Sequence, residues 1–214
     1  MSEYLASDER VAAAYLGLRA RVIGLMRSCD ESDGDLVVPH CPSWTVRDLV
    51  AHMVGVPEDI LAGRMEGVTT EAWTAAQVDR HRGESLAELV DSWESLSTQF
   101  DSVLPMIPAP INSQMVLDAV THEHDLRHAL GVPGARDVDA VAVAVGWLLY
   151  TADGASPGLA GQLRSLDLDD FDLLRVGTGR RSRAQIAEVG LDVDTIERLL
   201  DGSPLSPPTM SLFE

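Results

Sequence analysis

The chain of 214 residues contains no lysine, so that its 16 basic residues are all arginine, against 34 acidic residues. The formal net charge of −18 disfavours binding to nucleic acid or to an anionic membrane, because both require positive surface charge. We therefore expect neither partner. An amino-acid composition without lysine and rich in arginine, alanine and aspartate is typical of proteins encoded by a high-GC actinobacterial genome.

Cysteine is scarce as well, with only Cys29 and Cys41 in the chain. Two cysteines do not make a disulfide framework, and the first residues lack the charged and apolar regions of a secretory signal. No apolar run reaches the length of a membrane-spanning helix. We therefore predict a cytoplasmic protein with both thiols reduced. Cys41, close to Trp44, is either a reactive thiol or a small buried side chain, and we favour the second.

Apolar residues recur at helical spacing throughout the first 150 residues, where no strand alternation is convincing. Thr45 and Asp48 form a variant capping box, which predicts a second helix that runs to about Gly63. Ser85 and Glu88 give the same signal for a third helix. The remaining segments are helices near 8–29, 112–130 and 138–150, a mixed stretch at 64–83, and two short helices in the C-terminal part.

Hydrophobic residues make up 45% of the chain, which is enough for one substantial core. A stretch rich in glycine and small residues at 152–158 marks a boundary. We therefore predict a mainly all-α fold, with a helical bundle over residues 1–152. Residues 153–214 form a short, mostly helical segment that packs on this bundle.

Ligand-type side chains share one face of the fourth predicted helix with apolar residues. At about 100° per residue, Asp118, His122 and Asp125 fall within roughly one third of the helix circumference. His124 and His128 lie well over a quarter turn from that line, and we interpret them as facing solvent. The face with Asp118 should therefore point into the bundle.

His52 lies at the edge of the apolar stripe of the second predicted helix, pointing towards a neighbouring helix. A lone inward histidine is most often a core residue with hydrogen-bonded ring nitrogens, and an Asp–His pair can be purely structural. The combination favours a metal site, because Asp118 and His122 can close on one ion while a third ligand arrives from another helix. Three protein ligands leave a fourth position open, as in catalytic sites.

Three stretches of the chain carry a resemblance to the mycothiol-dependent maleylpyruvate isomerase family. CysProSerTrpThrValArgAspLeuValAlaHisMet (41–53) is similar to the signature around the first metal-binding histidine of the family, and residues 71–93 are similar to its middle region. The later signature, in which Glu, His and AspLeu follow at fixed spacing, reads here Asp118, His122 and Asp125 with Leu126. The resemblance implies a DinB-like four-helix bundle with an additional apolar helix. It also implies the metal ligands His52, Asp118 and His122, with Asp118 in place of the usual Glu.

The resemblance further implies mycothiol as the thiol cosubstrate and a divalent metal, zinc or alternatively nickel, that activates the thiol as thiolate. We expect a metal-dependent enzyme that uses a small-molecule thiol and an electrophilic acceptor. The C-terminal part is shorter than that of the family, which favours an S-transferase over the isomerase. Arg180 and Arg181 either contact a substrate anion or form a surface pair, which we favour. Asp125 either orients His122 or makes a helix–helix bond.

Two other functions stay open at this point. The bundle is alternatively a non-catalytic binding or stress-response module whose metal site is structural or empty. Hydrolysis by a zinc-bound water would require a general base, for which Asp125 and His124 are the candidates. Large apolar helix faces also leave a homodimer open as an alternative to a monomer.

Overall fold

Helices make up most of the structure, a computed structural model that describes residues 3–201 and 205–212. Parts of both predicted regions lie outside the described residues, namely 1–2, 202–204 and 213–214. Two short antiparallel strands, β1 (Val37–Val38) and β2 (Cys41–Thr45), form a hairpin. The helices are α1 (Asp8–Arg27), α2 (Val46–Ala62), α3 (Glu71–Arg80), α4 (Leu86–Val103), α5 (Ile111–Ala129), α6 (Asp139–Ala155), α7 (Leu159–Arg164), α8 (Asp170–Gly177), α9 (Arg183–Glu188) and α10 (Val193–Leu200).

Capping side chains define where the bundle helices begin. At the start of α2, the hydroxyl of Thr45 accepts from the Asp48 amide, and the Asp48 carboxylate accepts from the Thr45 amide at 2.9 Å. Ser85 and Glu88 form the same reciprocal pair at the start of α4. Gly63 ends α2 in the left-handed region, at a φ of 69° that favours glycine. These predicted boundaries are confirmed.

Helices α1, α2, α4 and α5 pack around one core, and α6 lies against α5 and α1. Large side chains fill this core without reaching solvent, among them Tyr15, Leu49, Trp93 and Leu126. Burial of each such apolar side chain contributes about 1.5–3 kcal/mol to folding. The expected all-α, DinB-like four-helix bundle with an additional apolar helix is therefore confirmed.

Three parts of the fold differ from the predictions. The stretch at 64–83, which was predicted as mixed, contains α3. The one buried side chain of this helix is the polar Gln77, so the sequence shows no apolar stripe there. The β1–β2 hairpin was not predicted, because strands this short show no alternation. Among its described residues, the C-terminal part contains four short helices rather than two. Among them α8 packs on α6, and α10 packs on α8 and α6.

None of the helices in residues 3–201 is both long enough and apolar enough to span a membrane.

Candidate metal centre

Two helices bring the three predicted ligands together. Nε2 of His52, on α2, lies 3.3 Å from Oδ2 of Asp118 on α5. Nε2 of His122, one turn further along α5, lies 3.5 Å from Oδ1 of the same carboxylate. The two imidazole rings meet edge to face with 5.1 Å between centroids, and one ligand atom from each residue lies within 4.8 Å of the others. Two imidazole nitrogens and one carboxylate oxygen are a donor set that suits zinc.

Solvent reaches this cluster from one side. The side chain of Asp118 is 42% exposed, whereas those of His52 and His122 are 4% and 11% exposed. The indole of Trp44, on β2, lies over the rings, with centroids 5.5 Å from His52 and 6.3 Å from His122. The hairpin therefore covers the histidines and leaves the carboxylate accessible.

His52 is oriented by a side chain of α3. Nδ1 of His52 lies 2.7 Å from Oε1 of Gln77, and Nε2 of Gln77 donates to Oδ2 of Asp59 at 2.8 Å. Asp59 in turn accepts from Arg64 at 2.6 Å and from Arg80 at 2.8 Å. The Nε2 atom of His52 is thereby directed at Asp118.

His122 is oriented by a carboxylate of its own helix. Nδ1 of His122 lies 3.3 Å from Oδ2 of Asp125, a side chain with no exposed surface. Asp125 also accepts from Arg175 of α8 at 3.0 Å and from Arg180, just beyond α8, at 2.7 Å. Both roles considered for Asp125 are therefore present, since it contacts the His122 ring and joins α5 to the C-terminal part.

Charge in the cluster favours an ionised carboxylate at the centre. Partial desolvation raises the pKa of Asp118, but the His52 and His122 rings outweigh this effect, so that the pKa lies below its ordinary value. Burial lowers the pKa of His122, but Asp118 and Asp125 outweigh it and raise the value overall. Burial likewise opposes ionisation of Asp125, yet Arg180 and Arg175 hold its pKa well below the usual range. Asp118 and Asp125 are thus both anionic at neutral pH.

Cys41 lies beside the cluster as a protonated thiol. Its Sγ atom is 3.6 Å from Nη2 of Arg180 and 4.0 Å from Oδ2 of Asp125. Burial and the charge of Asp125 raise the pKa of Cys41 to about 11, despite the nearby guanidinium groups. Cys41, His122 and Asp125 also have ligand atoms within 4.8 Å of one another, but the two arginines at Asp125 disfavour a cation there. The half-buried position and raised pKa fit the favoured interpretation of Cys41, a small packed side chain rather than a reactive thiol.

The two arginines considered for anion binding contact carboxylates of the protein. Arg180 is buried against Asp125, so the surface-pair interpretation is wrong for this residue. The reason is that the turn after α8 directs Arg180 inwards to balance the buried charge of Asp125. Arg181 contacts Asp172 at 3.1 Å. An external anion would have to displace these carboxylates.

His124 was expected to face solvent, and this is wrong. Its ring is buried against Phe171 of α8, with 4.7 Å between centroids, because the C-terminal helices cover that side of α5. His128 is half-buried, and its ring lies 5.1 Å from that of His40. Neither general base suggested for hydrolysis suits that role, since His124 contacts α8 and Asp125 is held by two guanidinium groups.

The fold is a four-helix bundle, and two of its helices bring two histidines and one aspartate together. These features place the protein in the class of DinB-like bundles with a candidate metal site. The chain belongs to the family described as mycothiol maleylpyruvate isomerase N-terminal domain, whose family model matches residues 15–130, more than half of the chain. The matched region contains His52, Asp118 and His122. No curated protein and no solved structure matches the chain.

Proposed function

We propose that this protein is a metal-dependent, thiol-using enzyme of the mycothiol S-transferase or isomerase type. His52, Asp118 and His122 would hold the metal, with zinc favoured by the donor set and nickel as the alternative. The observation that carries the proposal is the orientation of the rings. Both Nδ1 atoms contact oxygen acceptors, which leaves both Nε2 atoms directed at one ionised carboxylate.

A bound divalent metal supplies Lewis-acid chemistry that lowers the pKa of a thiol ligand, so that a thiol such as mycothiol reacts as thiolate at neutral pH. Asp118 lies on the accessible side, where a small thiol can approach. The indole of Trp44 shields both histidine rings from water. Cys41, with its raised pKa, stays a thiol and does not compete as a nucleophile.

The ion pairs of Arg180 and Arg181 favour an S-transfer reaction over isomerisation of an acidic substrate. Arg180 contacts Asp125 and Arg181 contacts Asp172, so these two guanidinium groups are engaged by carboxylates of the protein. A dicarboxylate acceptor would gain little from them without breaking those ion pairs. An uncharged electrophile needs no such cation.

Metal analysis combined with a transfer assay tests this proposal. We expect the purified protein to bind about one zinc or nickel ion per chain. His52→Ala and His122→Ala should lose the ion, whereas His128→Ala on the same helix should retain it. Loaded protein should transfer mycothiol to an uncharged electrophile such as chlorodinitrobenzene. Absence of bound metal in the unaltered protein would contradict the proposal. A large loss of stability on chelation without any turnover would instead indicate a structural metal in a binding module.

A further inference from the structure

Gln77 occupies a position that neither the ligand set nor the family signature explains. Its side chain is completely buried in α3, a helix with no other buried residue. It bridges the imidazole of His52 and the carboxylate of Asp59 at 2.7 and 2.8 Å. A buried amide with both ends hydrogen-bonded is a specific arrangement, because its donor and acceptor ends are not interchangeable.

The carboxylate of Asp59 determines which way this amide points. An ionised carboxylate only accepts hydrogen bonds, and Asp59 accepts from Arg64 and Arg80 as well. Only the NH₂ end of Gln77 can therefore face Asp59, since the opposite orientation would place two acceptors in contact. The carbonyl Oε1 must then face His52, and Nδ1 of that ring must carry the hydrogen.

We propose that Gln77 is a positioning residue that keeps a hydrogen on Nδ1 of His52, so that Nε2, which faces Asp118, is the ring nitrogen that gives up its hydrogen to a metal. Neutral histidine in water prefers the tautomer with the hydrogen on Nε2. Without Gln77, the carboxylate of Asp118 would hold the one hydrogen of the neutral ring on Nε2, at the ligand position. The part of this inference that concerns metal affinity rests on the proposed function, whereas the tautomer does not.

The close approach of α3 to α2 makes this contact available. A Cβ atom at Gly55 would lie 2.5 Å from Cβ of Gln77, so glycine is required at that point of α2. The chain of hydrogen bonds from His52 reaches the surface at Arg64 and Arg80, whose side chains are 47% and 31% exposed. The backbone carbonyl of Arg64 accepts from Trp73 Nε1 of α3 at 2.9 Å, which ties α3 to the segment that follows α2.

Nitrogen NMR of the metal-free protein tests the tautomer directly. In long-range ¹H–¹⁵N spectra at about pH 9, we expect Nδ1 of His52 to carry a hydrogen, because it faces Oε1 of Gln77. The signal is assigned by its loss in His52→Ala. A predominant Nε2–H tautomer of His52 would overturn the inference, and this measurement requires no variant of Gln77.

Two substitutions with opposite expectations separate positioning from packing. Gln77→Met keeps the volume but removes the acceptor, and should shift His52 to the Nε2–H form and weaken zinc binding about 10- to 100-fold. In Gln77→Glu a protonated carboxyl can donate to Asp59 and accept from His52, so it should retain the Nδ1–H form and most of the affinity. Gln162→Met, the same change at an exposed position of α7, should alter neither quantity.

The outcomes also separate this inference from the proposed function. Equal behaviour of Gln77→Met and Gln77→Glu in both measurements would reduce Gln77 to a packing residue and overturn the inference. If the unaltered protein binds no metal but His52 shows the Nδ1–H form, and only Gln77→Met loses it, the positioning role stands. The proposed function alone would then fail.

Discussion

Oδ1 of Asp125 lies 3.0 Å from Nη1 of Arg175, and neither side chain has any exposed surface. This ion pair joins α5, which carries two of the candidate ligands, to α8 in the C-terminal part. Removal of one partner from a buried pair leaves an uncompensated charge, which is far more costly than loss of an exposed pair. The C-terminal helices therefore contribute to the stability of the site as well as to the fold.

We predict that Arg175→Met lowers the free energy of unfolding by about 3–5 kcal/mol, because Asp125 keeps only part of its compensation. Arg183→Met is the matched control, since Arg183 forms an exposed pair with Glu197. Its expected cost is about 0–1 kcal/mol. Chemical denaturation of the metal-free proteins measures both values. Equal effects of the two substitutions would show that the buried pair has no special role.

Acid should destabilise the protein through the same cluster. The folded-state pKa values of Asp118 and Asp125 lie below their ordinary values, so their stabilising contribution is present above about pH 4 and is lost as the pH falls further. We expect the free energy of unfolding to fall steeply below that pH in the unaltered protein. Asp125→Asn should be less stable at neutral pH and should show a shallower fall. A variant with an unchanged slope would argue against this assignment.

Fluorescence of Trp44 should report on metal binding, because its ring lies 5.5 Å from that of His52. A paramagnetic ion such as Co²⁺ at the candidate ligands should quench this indole strongly. Trp44→Phe should therefore lose most of the quenching on titration with Co²⁺. Trp147→Phe, on α6, serves as the control and should retain it. Equal quenching in both variants would place the ion elsewhere.

Glycines in two helices should respond in opposite directions to alanine. At Gly55 the added Cβ would meet Gln77, so Gly55→Ala should cost about 1–3 kcal/mol through overpacking and should weaken metal binding. At Gly24, an exposed position of α1, nothing lies within 4 Å of the added atom. Gly24→Ala should stabilise the protein by about 0.5–1 kcal/mol, because alanine is the better helix former. Thermal unfolding with and without zinc compares the pair.

Local signals explain what the sequence predicted correctly. Thr45 with Asp48, and Ser85 with Glu88, define helix starts through contacts three residues apart, and such pairs can be recognised in one chain. The shared face of Asp118 and His122 follows from helix geometry alone. Placing His52 beside them required the family resemblance, because helical periodicity does not tell which helices become neighbours.

Contacts between distant segments explain what the sequence did not predict. The prediction that His124 faces solvent was wrong, because its burial depends on Phe171, which lies on another helix of the C-terminal part. Gln77 and Asp59 gave no signal, because α3 has no apolar stripe and an amide is not a typical ligand. The inward direction of Arg180 follows from the buried charge of Asp125, which no local pattern reveals.

The central claim is that His52, Asp118 and His122 hold a metal that accepts a small-molecule thiol. Absorption spectroscopy of the Co²⁺-substituted protein tests it most directly, because a thiolate ligand gives an intense near-ultraviolet charge-transfer band. We predict that this band appears when mycothiol is added to the unaltered protein and is absent in His122→Ala. A Co²⁺ spectrum that stays unchanged on addition of the thiol would contradict the account.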